Sequence, residues 1–382
     1  MNVPGESLGH PAARALTERH RIRAWEAFPW LLAIAFYFAF PRHLGFGTEV
    51  LVMILFAISL DLALGYAGII TLGHAAFFGA GAYTVGMLAF HGVWDEPITG
   101  LILAAAVAAV IGLASGLVLL RTTGLTLLML TLCTMALLEE AANFAYTYTG
   151  SFDGLPGITF KPVLGLFEFN PLIPRTQYLY ALAVLFIGFV FVRALIYSPF
   201  GQSLTGIREN TLRMHAVGAP VRTRLVVCYT ISAAIAGVAG ALWAQTNLYV
   251  NLSALNLERA ATVLIVLVLG GYGRLYGSFI GAVAYLVLAH FLSQLYPTAW
   301  QLGLGLLLAG VRLSSRSLRL CSLAVLSLTV AKVFLLDARA LAGLLRVASF
   351  LGLGVSLIGL GWLYSRHVFG GRADMDAQGG GA

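Results

Sequence analysis

Long runs of apolar residues recur along almost the whole chain and constrain its fold more than any other feature. A helix needs about 20 apolar residues to cross a bilayer, and most of the runs approach that length. Charged residues make up only 10% of the 382 residues, whereas soluble proteins average about 25%. We therefore predict an all-α, polytopic integral membrane protein with about nine to eleven transmembrane helices. The runs lie at residues 30–41, 50–72, 75–91, 100–120, 124–146, 178–197, 225–247, 260–292, 300–311, 320–336 and 344–364.

The distribution of positive charge predicts the orientation of these helices. The net charge is +7, which by itself could suggest a nucleic-acid partner. If the N-terminus is cytoplasmic and residues 261–292 cross twice, with a turn at Gly270–Gly277, most of the 23 Lys and Arg residues fall on the cytoplasmic side. The charge therefore indicates membrane topology and no nucleic-acid binding. The polar residues 1–27 are predicted to be a cytoplasmic tail.

Two ionisable residues interrupt the early apolar runs. Asp61 is placed near the middle of the second span, and His74 lies in the glycine-dense segment 65–83. Ionisable side chains inside a membrane usually face the bundle interior or a cavity. Each is therefore predicted either to line a solute pathway or to make a structural hydrogen bond between helices.

Segment 65–83 has a faint counterpart about 200 residues later in the chain. Residues 271–285 also begin with Gly-Tyr and end with Ala-Tyr. Repeated halves with glycine-interrupted segments mark the substrate site in many transporters. The two segments are a candidate internal repeat, although such short matches also arise by chance in Gly/Ala-rich sequences.

A polar stripe is predicted on the helix that covers residues 124–146. Glu139 and Asn143 are four residues apart and share one face, whereas Glu140 aligns with Asn143 and Thr147 on the next. Adjacent glutamates point in different directions, which argues against a catalytic carboxylate pair. We predict a polar lining for a solute path, with no catalytic residue, resident cofactor or metal site in the chain.

The polar segment 198–224 separates two long apolar runs. Ser198-Pro199 is typical of a helix start, and Gly218 provides the backbone freedom for a turn. Arg208, Glu209 and Arg213 lie between them. The segment is predicted to be a cytoplasmic helix that docks on another protein. The alternative is a solvated loop that is basic only because of membrane topology.

Several motifs, in the same order, resemble the ABC permease family that imports branched-chain amino acids and related small solutes. The resemblance covers about residues 28–310. It implies a transmembrane permease domain in the inner membrane, with Arg208, Glu209, Ala216 and Gly218 in an ATPase-coupling loop. The motifs are the loop at 198–240, GHAAFFGAGAY at 73–83, the Gly150–Gly157 segment with its Asp-Gly-Leu, and the glycine-rich turn at 270–277.

The resemblance also implies partners for the chain. The sequence contains no GxxxxGK[ST] motif, so ATP would be bound by separate ATPase subunits. A second homologous permease and an extracytoplasmic solute-binding protein would complete the importer, surrounded by membrane lipid. Hydrophobic amino acids are the expected solutes, and urea or short amides are the alternative within the same mechanism.

Residues 311–382 depart from this family. They are predicted to add two spans and a polar tail, and they resemble the end of an unrelated family of multi-spanning proteins of unknown function. This departure leaves open a non-transporting membrane scaffold. A further alternative is an intramembrane lipid-modifying enzyme that uses Asp61, Glu139 and His74.

Overall fold

The computed structural model describes residues 24–160 and 173–295. The chain divides into two compact units, residues 1–287 and 288–382, and nearly all the described residues belong to the first. The predicted C-terminal region 311–382 and most of the predicted N-terminal tail lie outside the described residues.

The described residues are mainly helical, as the sequence predicts. They include one two-stranded antiparallel sheet, in which β1 (Leu155–Pro156) pairs with β2 (Tyr249–Val250). The helices are α1 (Phe28–Ala39), α2 (Leu44–Asp61), α3 (Ala75–Phe90), α4 (Pro97–Leu119), α5 (Leu125–Phe144), α6 (Tyr146–Thr149), α7 (Pro174–Tyr197), α8 (Pro199–Glu209), α9 (Thr211–Ala216), α10 (Val221–Asn247), α11 (Leu257–Gly270) and α12 (Gly277–Leu295).

Six of the described helical segments are long and apolar enough to cross a membrane, and three shorter apolar helices accompany them. This confirms the prediction of an all-α polytopic membrane protein. The turn between α11 and α12 confirms that the run at 260–292 forms two helices. The predicted spans at 300–311, 320–336 and 344–364 lie outside the described residues.

Proline and capping side chains determine where several helices begin. Pro97, Pro174 and Pro199 each occupy the first turn of a helix, where the missing N–H costs no intrahelical hydrogen bond. The Glu96 carboxylate also accepts a hydrogen bond from Thr99 N at 3.2 Å. Such N-caps satisfy backbone donors that the helix itself leaves free.

The centre of the bundle is formed by α10 against α3 and α4, and small residues allow the close approach. A Cβ added at Gly237 would overlap Ala108 Cβ, and one at Gly240 would overlap the carbonyl oxygen of Phe78. Small residues at such crossings let helix backbones pack tightly in a membrane. α10 is accordingly buried along most of its length.

The second apolar run contains a break that the sequence did not predict. The α-helix ends at Asp61, continues through one π-helical turn (Leu62–Tyr66), and gives way to irregular backbone until α3. The sequence-based end near residue 72 was therefore wrong, and so was the placement of Asp61 near the middle of the span. Gly68, with φ of +74°, supports the break because non-glycine residues rarely adopt that conformation.

Two contacts relate the loops to the bundle ends. Arg193, in the last turns of α7, forms an ion pair of 2.5 Å with Glu26, so the chain preceding α1 lies at the same end as the segment that begins α8. In the second contact, the Tyr249 hydroxyl donates a hydrogen bond to Asp153 O at 3.0 Å. This bond joins the Asp-Gly-Leu motif to β2.

Candidate functional site

The break after α2 is joined to two distant parts of the chain. The backbone N–H of Gly273, in the turn between α11 and α12, donates a 2.6 Å hydrogen bond to Asp61 Oδ1. Arg208, near the end of α8, donates from Nη1 to the carbonyl oxygen of Gly65. Asp61, Gly65, Arg208 and Gly273 are called the α2 junction below.

At the α2 junction, neighbouring chain segments approach the backbone so closely that only glycine fits. A Cβ added at Gly65 would overlap Asp61 Oδ1 and Gly273 N, and one at Gly273 would lie 2.9 Å from Arg208 Nη1. A Cβ at Gly68 would lie 2.9 Å from Arg208 Cγ. The Arg208 side chain thus lies directly along the broken backbone that follows α2.

The two segments of the candidate repeat meet at this junction. Gly65 and Tyr66 belong to the first Gly-Tyr segment, and Gly273 lies just after the second Gly-Tyr pair, Gly271-Tyr272. The repeat itself stays a prediction, but the contact shows that the two glycine-rich segments lie next to each other. Asp61 links them through its hydrogen bond to Gly273.

The segment that contains α8 and α9 has an anchored face and an exposed face. Ser198 caps α8 by accepting a hydrogen bond from Gly201 N at 3.3 Å, which confirms the predicted helix start. Leu204 and Ile207 are buried. In contrast, Leu212 is 82% exposed and Val217 is 77% exposed. Both exposed apolar side chains lie on a segment rich in polar residues, where they are available for contact with another protein.

The predicted single helix is divided in two. Asn210 interrupts it, and its Oδ1 accepts a hydrogen bond from Arg213 N at 2.8 Å, which starts α9. Glu209 is the last residue of α8, and Ala216 is the last residue of α9. Gly218 has φ of +82°, so the predicted turn at this glycine is confirmed.

His74 is buried at the start of α3, between α2 and α10. Its Nε2 lies 3.0 Å from Ser59 Oγ and 3.5 Å from Ser232 Oγ. The imidazole stacks on Phe56 and meets Phe77 edge-on, with centroid distances of 5.8 Å and 5.6 Å. We call His74, Ser59 and Ser232 the histidine node.

The hydroxyl protons of the histidine node determine the state of the imidazole. Ser59 donates to Phe56 O at 2.6 Å, and Ser232 donates to Ser59 O at 2.5 Å. Each hydroxyl has only one proton to donate, so Nε2 must carry the proton that it shares with Ser59. Nδ1 is then an acceptor, and within the described residues it is buried without a hydrogen-bond partner. This geometry matches the structural hydrogen bond considered for His74, and its place in a pathway stays a prediction.

Two of the polar residues of α5 lie on the same helix face as its buried residues. Thr131 and Met135 are buried on this helix, and Met135 packs with Ala75, Ala76 and Ala260. Glu139 and Asn143 follow Met135 at four-residue intervals and are half-buried, whereas Glu140 is exposed. Asn143 Oδ1 accepts a 2.5 Å hydrogen bond from Ser151 Oγ.

The predicted pathway residues therefore occupy three separate settings. Among the described residues, Asp61 bonds to Gly273, His74 bonds to serines, and Asn143 bonds to Ser151. No described hydrogen bond joins Asp61, His74 and Glu139 to one another, so the geometry gives no support to their use as one catalytic group. Their role along a solute path stays a prediction.

Sequence reasoning missed the partners that define these settings. Ser59 and Ser232 were not singled out in the sequence, whereas Gly273 belongs to the glycine-rich turn at 270–277 but was not paired with Asp61. Ser59 and Ser232 are polar residues within the apolar runs that form α2 and α10, and that position is the signal that could have found them.

Comparison with known proteins gives a consistent result. The family described as "Branched-chain amino acid transport system / permease component" matches residues 44–311. The high-affinity branched-chain amino acid transport system permease protein LivM of Escherichia coli (strain K12) is 28% identical over 283 residues, covering 67% of this chain and 65% of that protein. The protein with the same name in Salmonella typhimurium is also 28% identical, over 284 residues.

A more distant relative is found in an archaeon. The probable branched-chain amino acid transport permease protein LivM of Methanocaldococcus jannaschii is 25% identical over 272 residues, covering 60% of this chain and 75% of that protein. The chain spans about 65% of the length of its two bacterial relatives. No solved structure shows a significant match.

Proposed function

Because the chain belongs to the family of branched-chain amino acid transport permeases, we propose that it forms part of the membrane pathway of an ATP-driven importer. The permease domain would comprise residues 28–310, and residues 311–382 would be an addition to it. The protein is a permease component of a transporter, and its energy source would be a separate ATPase.

The observation that carries this proposal is the two-faced segment of α8 and α9. One face is anchored on the bundle through Leu204 and Ile207, while Leu212 and Val217 are exposed. Arg208 extends from α8 to Gly65 in the break after α2. A partner that moves the exposed face would therefore pull on the membrane helices through this side chain.

The segment would be the coupling loop for the ATPase subunits. Glu209, Ala216 and Gly218 would belong to the contact with them, and ATP would be bound only by those subunits. The chain would also pair with a second homologous permease and receive solute from an extracytoplasmic binding protein. The location would be the inner membrane with a cytoplasmic N-terminus.

Hydrophobic amino acids are the proposed solutes. This assignment rests on the names of the relatives, which describe branched-chain amino acid transport. Asp61, His74, Glu139 and Asn143 are the proposed pathway residues. Urea or short amides would require the same coupling, so a coupling experiment tests the mechanism independently of the solute.

The test is Leu212→Glu, which places a charge on the exposed face of the segment. The substitution should leave the fold intact because Leu212 is 82% exposed. We expect the variant to insert normally but to lose the co-purifying ATPase and ATP-dependent uptake of leucine. Val93→Glu is the matched control, because Val93 is an apolar residue 67% exposed in another loop.

The outcomes separate docking from general damage. Retention of the ATPase and normal uptake in Leu212→Glu would contradict the docking role of this face. A full-length wild-type chain that co-purifies with no ATPase, in membranes where other transporters stay assembled, would favour the scaffold alternative.

A further inference from the structure

The α5 helix has an exposed face that carries a carboxylate. Of the six described segments that are long enough to cross a membrane, α5 is the least buried. Its inward face packs through Met135 on α3 and α11. Its outward face, called the α5 face below, carries exposed side chains at intervals of three and four residues: Met129, Cys133, Leu137, Glu140 and Phe144.

The exposed faces of α4 and α7 show what contact with lipid requires. Both helices are also little buried along their length. Every exposed side chain on α4 is apolar, and the same holds for α7 after Arg175 in its first turn. These two helices therefore suit the hydrocarbon of a bilayer. The α5 face does not, because a charged side chain in contact with lipid is costly.

Glu140 lies within the membrane and not at its edge. The exposed apolar surface continues past it to Phe144, and exposed Tyr146 and Tyr148 follow in α6. Tyrosines are enriched where a membrane meets water. Tyr146 is six residues beyond Glu140, or about 9 Å along a helix. The glutamate side chain is too short to reach that level, so its carboxylate stays among apolar groups.

The carboxylate of Glu140 is unpaired within the described part of the chain. No hydrogen bond or ion pair joins it to a described residue, and the adjacent Glu139 adds a second acidic group. Ionisable side chains inside a membrane pair with one another or face water, and polar side chains form hydrogen bonds between membrane helices. The α5 face therefore lacks a positively charged donor for Glu140.

A second copy of this chain is a poor occupant of the α5 face. Two copies inserted in the same orientation hold Glu140 at the same depth. A symmetric contact between their α5 helices would bring the two Glu140 side chains towards each other, and like charges repel strongly away from water. The face thus disfavours self-pairing and favours a different protein with a basic side chain at that depth.

We propose that the α5 face pairs with a helix of a different membrane protein, which places a lysine or arginine against Glu140. Leu137 and Phe144 would pack against that helix, and the ion pair would select the partner and fix its depth. Only the name of the partner rests on the proposed function: in an importer it is the second permease. Glu140 would then make the pair of permeases heteromeric.

The first test is a crosslink from Cys133, which is exposed on the α5 face, whereas Cys228 is buried. A maleimide–diazirine probe is attached to the full-length chain in its native membrane. Illumination should join Cys133 to a membrane helix of another protein that carries a lysine or arginine about two turns further out, at the depth of Glu140. Mass spectrometry identifies the peptide, and Cys133→Ser should lose it.

A matched site on another exposed helix controls for chance contact. Val110 is 65% exposed on the apolar outer face of α4. We expect Val110→Cys, made in the Cys133→Ser chain, to crosslink to lipid and not to the partner found from Cys133. The same protein captured from both sites would contradict a specific contact on the α5 face.

Charge changes at Glu140 test the ion pair. Glu140→Gln keeps the shape and a hydrogen bond, and we expect about tenfold less partner after purification in detergent, as for the loss of a charged hydrogen bond. Glu140→Lys should retain no partner, and changing the partner's basic residue to glutamate should restore assembly. Leu113→Gln, at an exposed position of α4, should leave the yield of partner unchanged.

The outcomes separate the possible occupants. A crosslink from Cys133 to lipid alone, to a second copy or to another segment of the same chain would overturn the inference. A Glu140→Gln variant that keeps its partner but has a raised KM for solute would also overturn it, because the carboxylate would then line the solute path. A basic partner found without any ATPase would support the inference and contradict the proposed function. ATPase binding and uptake without a protein crosslink would do the reverse.

Discussion

The α2 junction and the histidine node lie at the two ends of the same chain break and hold their ionisable groups in different ways. His74 contacts hydroxyl groups and aromatic rings inside a tightly packed core. Asp61 contacts the backbone of a distant turn, beside an arginine from another segment. Both look like intramembrane ionisable residues in the sequence, but Asp61 joins the end of α2 to a distant turn, whereas His74 lies among packed helices.

The difference suggests separate roles for the two sites. The histidine node connects α2, α3 and α10 where small residues already pack them closely. The junction connects the end of α2 to the proposed coupling loop and to the turn between α11 and α12. We infer that the node stabilises the bundle, whereas the junction transmits movement from the loop.

The largest expected effect is at Gly65. Gly65→Ala would force a methyl group into Asp61 Oδ1 and Gly273 N, and because backbone must shift, we expect a cost of about 3 kcal/mol or more. The yield of monodisperse protein and its thermal unfolding in detergent measure this. Gly45→Ala is the control, because a Cβ at Gly45 meets nothing within 4 Å and alanine favours a helix. Equal yield and equal thermal stability of the two variants would show that the backbone segments at the junction can move apart at no cost.

A smaller effect is expected from Asp61→Asn. The asparagine oxygen can still accept the hydrogen bond from Gly273, but it no longer bears the charge beside Arg208. We expect nearly unchanged thermal stability and a roughly tenfold loss of uptake, corresponding to about 1.4 kcal/mol. Asp153→Asn, at an exposed carboxylate, should leave uptake unchanged. Unimpaired uptake in Asp61→Asn would place the junction among purely structural contacts.

The smallest effect is expected from His74→Phe. This change removes the hydrogen bond to Ser59 but also removes the buried Nδ1, so the two terms offset each other and stability should change by about 1 kcal/mol or less. The KM for solute should not change if His74 only holds the helices together. A KM raised severalfold, with stability unchanged, would instead place His74 in the solute pathway.

Much of the fold follows from local sequence. Pro97, Pro174 and Pro199 mark the starts of α4, α7 and α8. Gly218 and Gly271 adopt positive φ values just after α9 and α11. The division of residues 260–292 into two helices follows from the glycine-rich turn between them. The break after Asp61 could not be predicted in the same way, because the chain stays largely apolar to residue 72 and its glycines also suit close helix packing.

The site was less predictable than the fold because its contacts are distant in sequence. Asp61 was singled out from the sequence, yet its hydrogen-bond partner Gly273 is 212 residues away, and Arg208 is 143 residues from Gly65. The proposed coupling loop was singled out by its polarity and length. Its division at Asn210 depends on one side-chain cap, which polarity alone does not reveal.

The most direct test of the account is a double-mutant cycle on ATP-dependent uptake, with Asp61→Asn, Arg208→Gln and both together. Residues that act as one unit give effects that do not add. We predict that the double variant transports no worse than the poorer single variant, while the ATPase subunits remain bound in all three. Uptake losses that multiply, with the double variant impaired by the product of the two single effects, would contradict the junction as a link between the loop and the membrane helices.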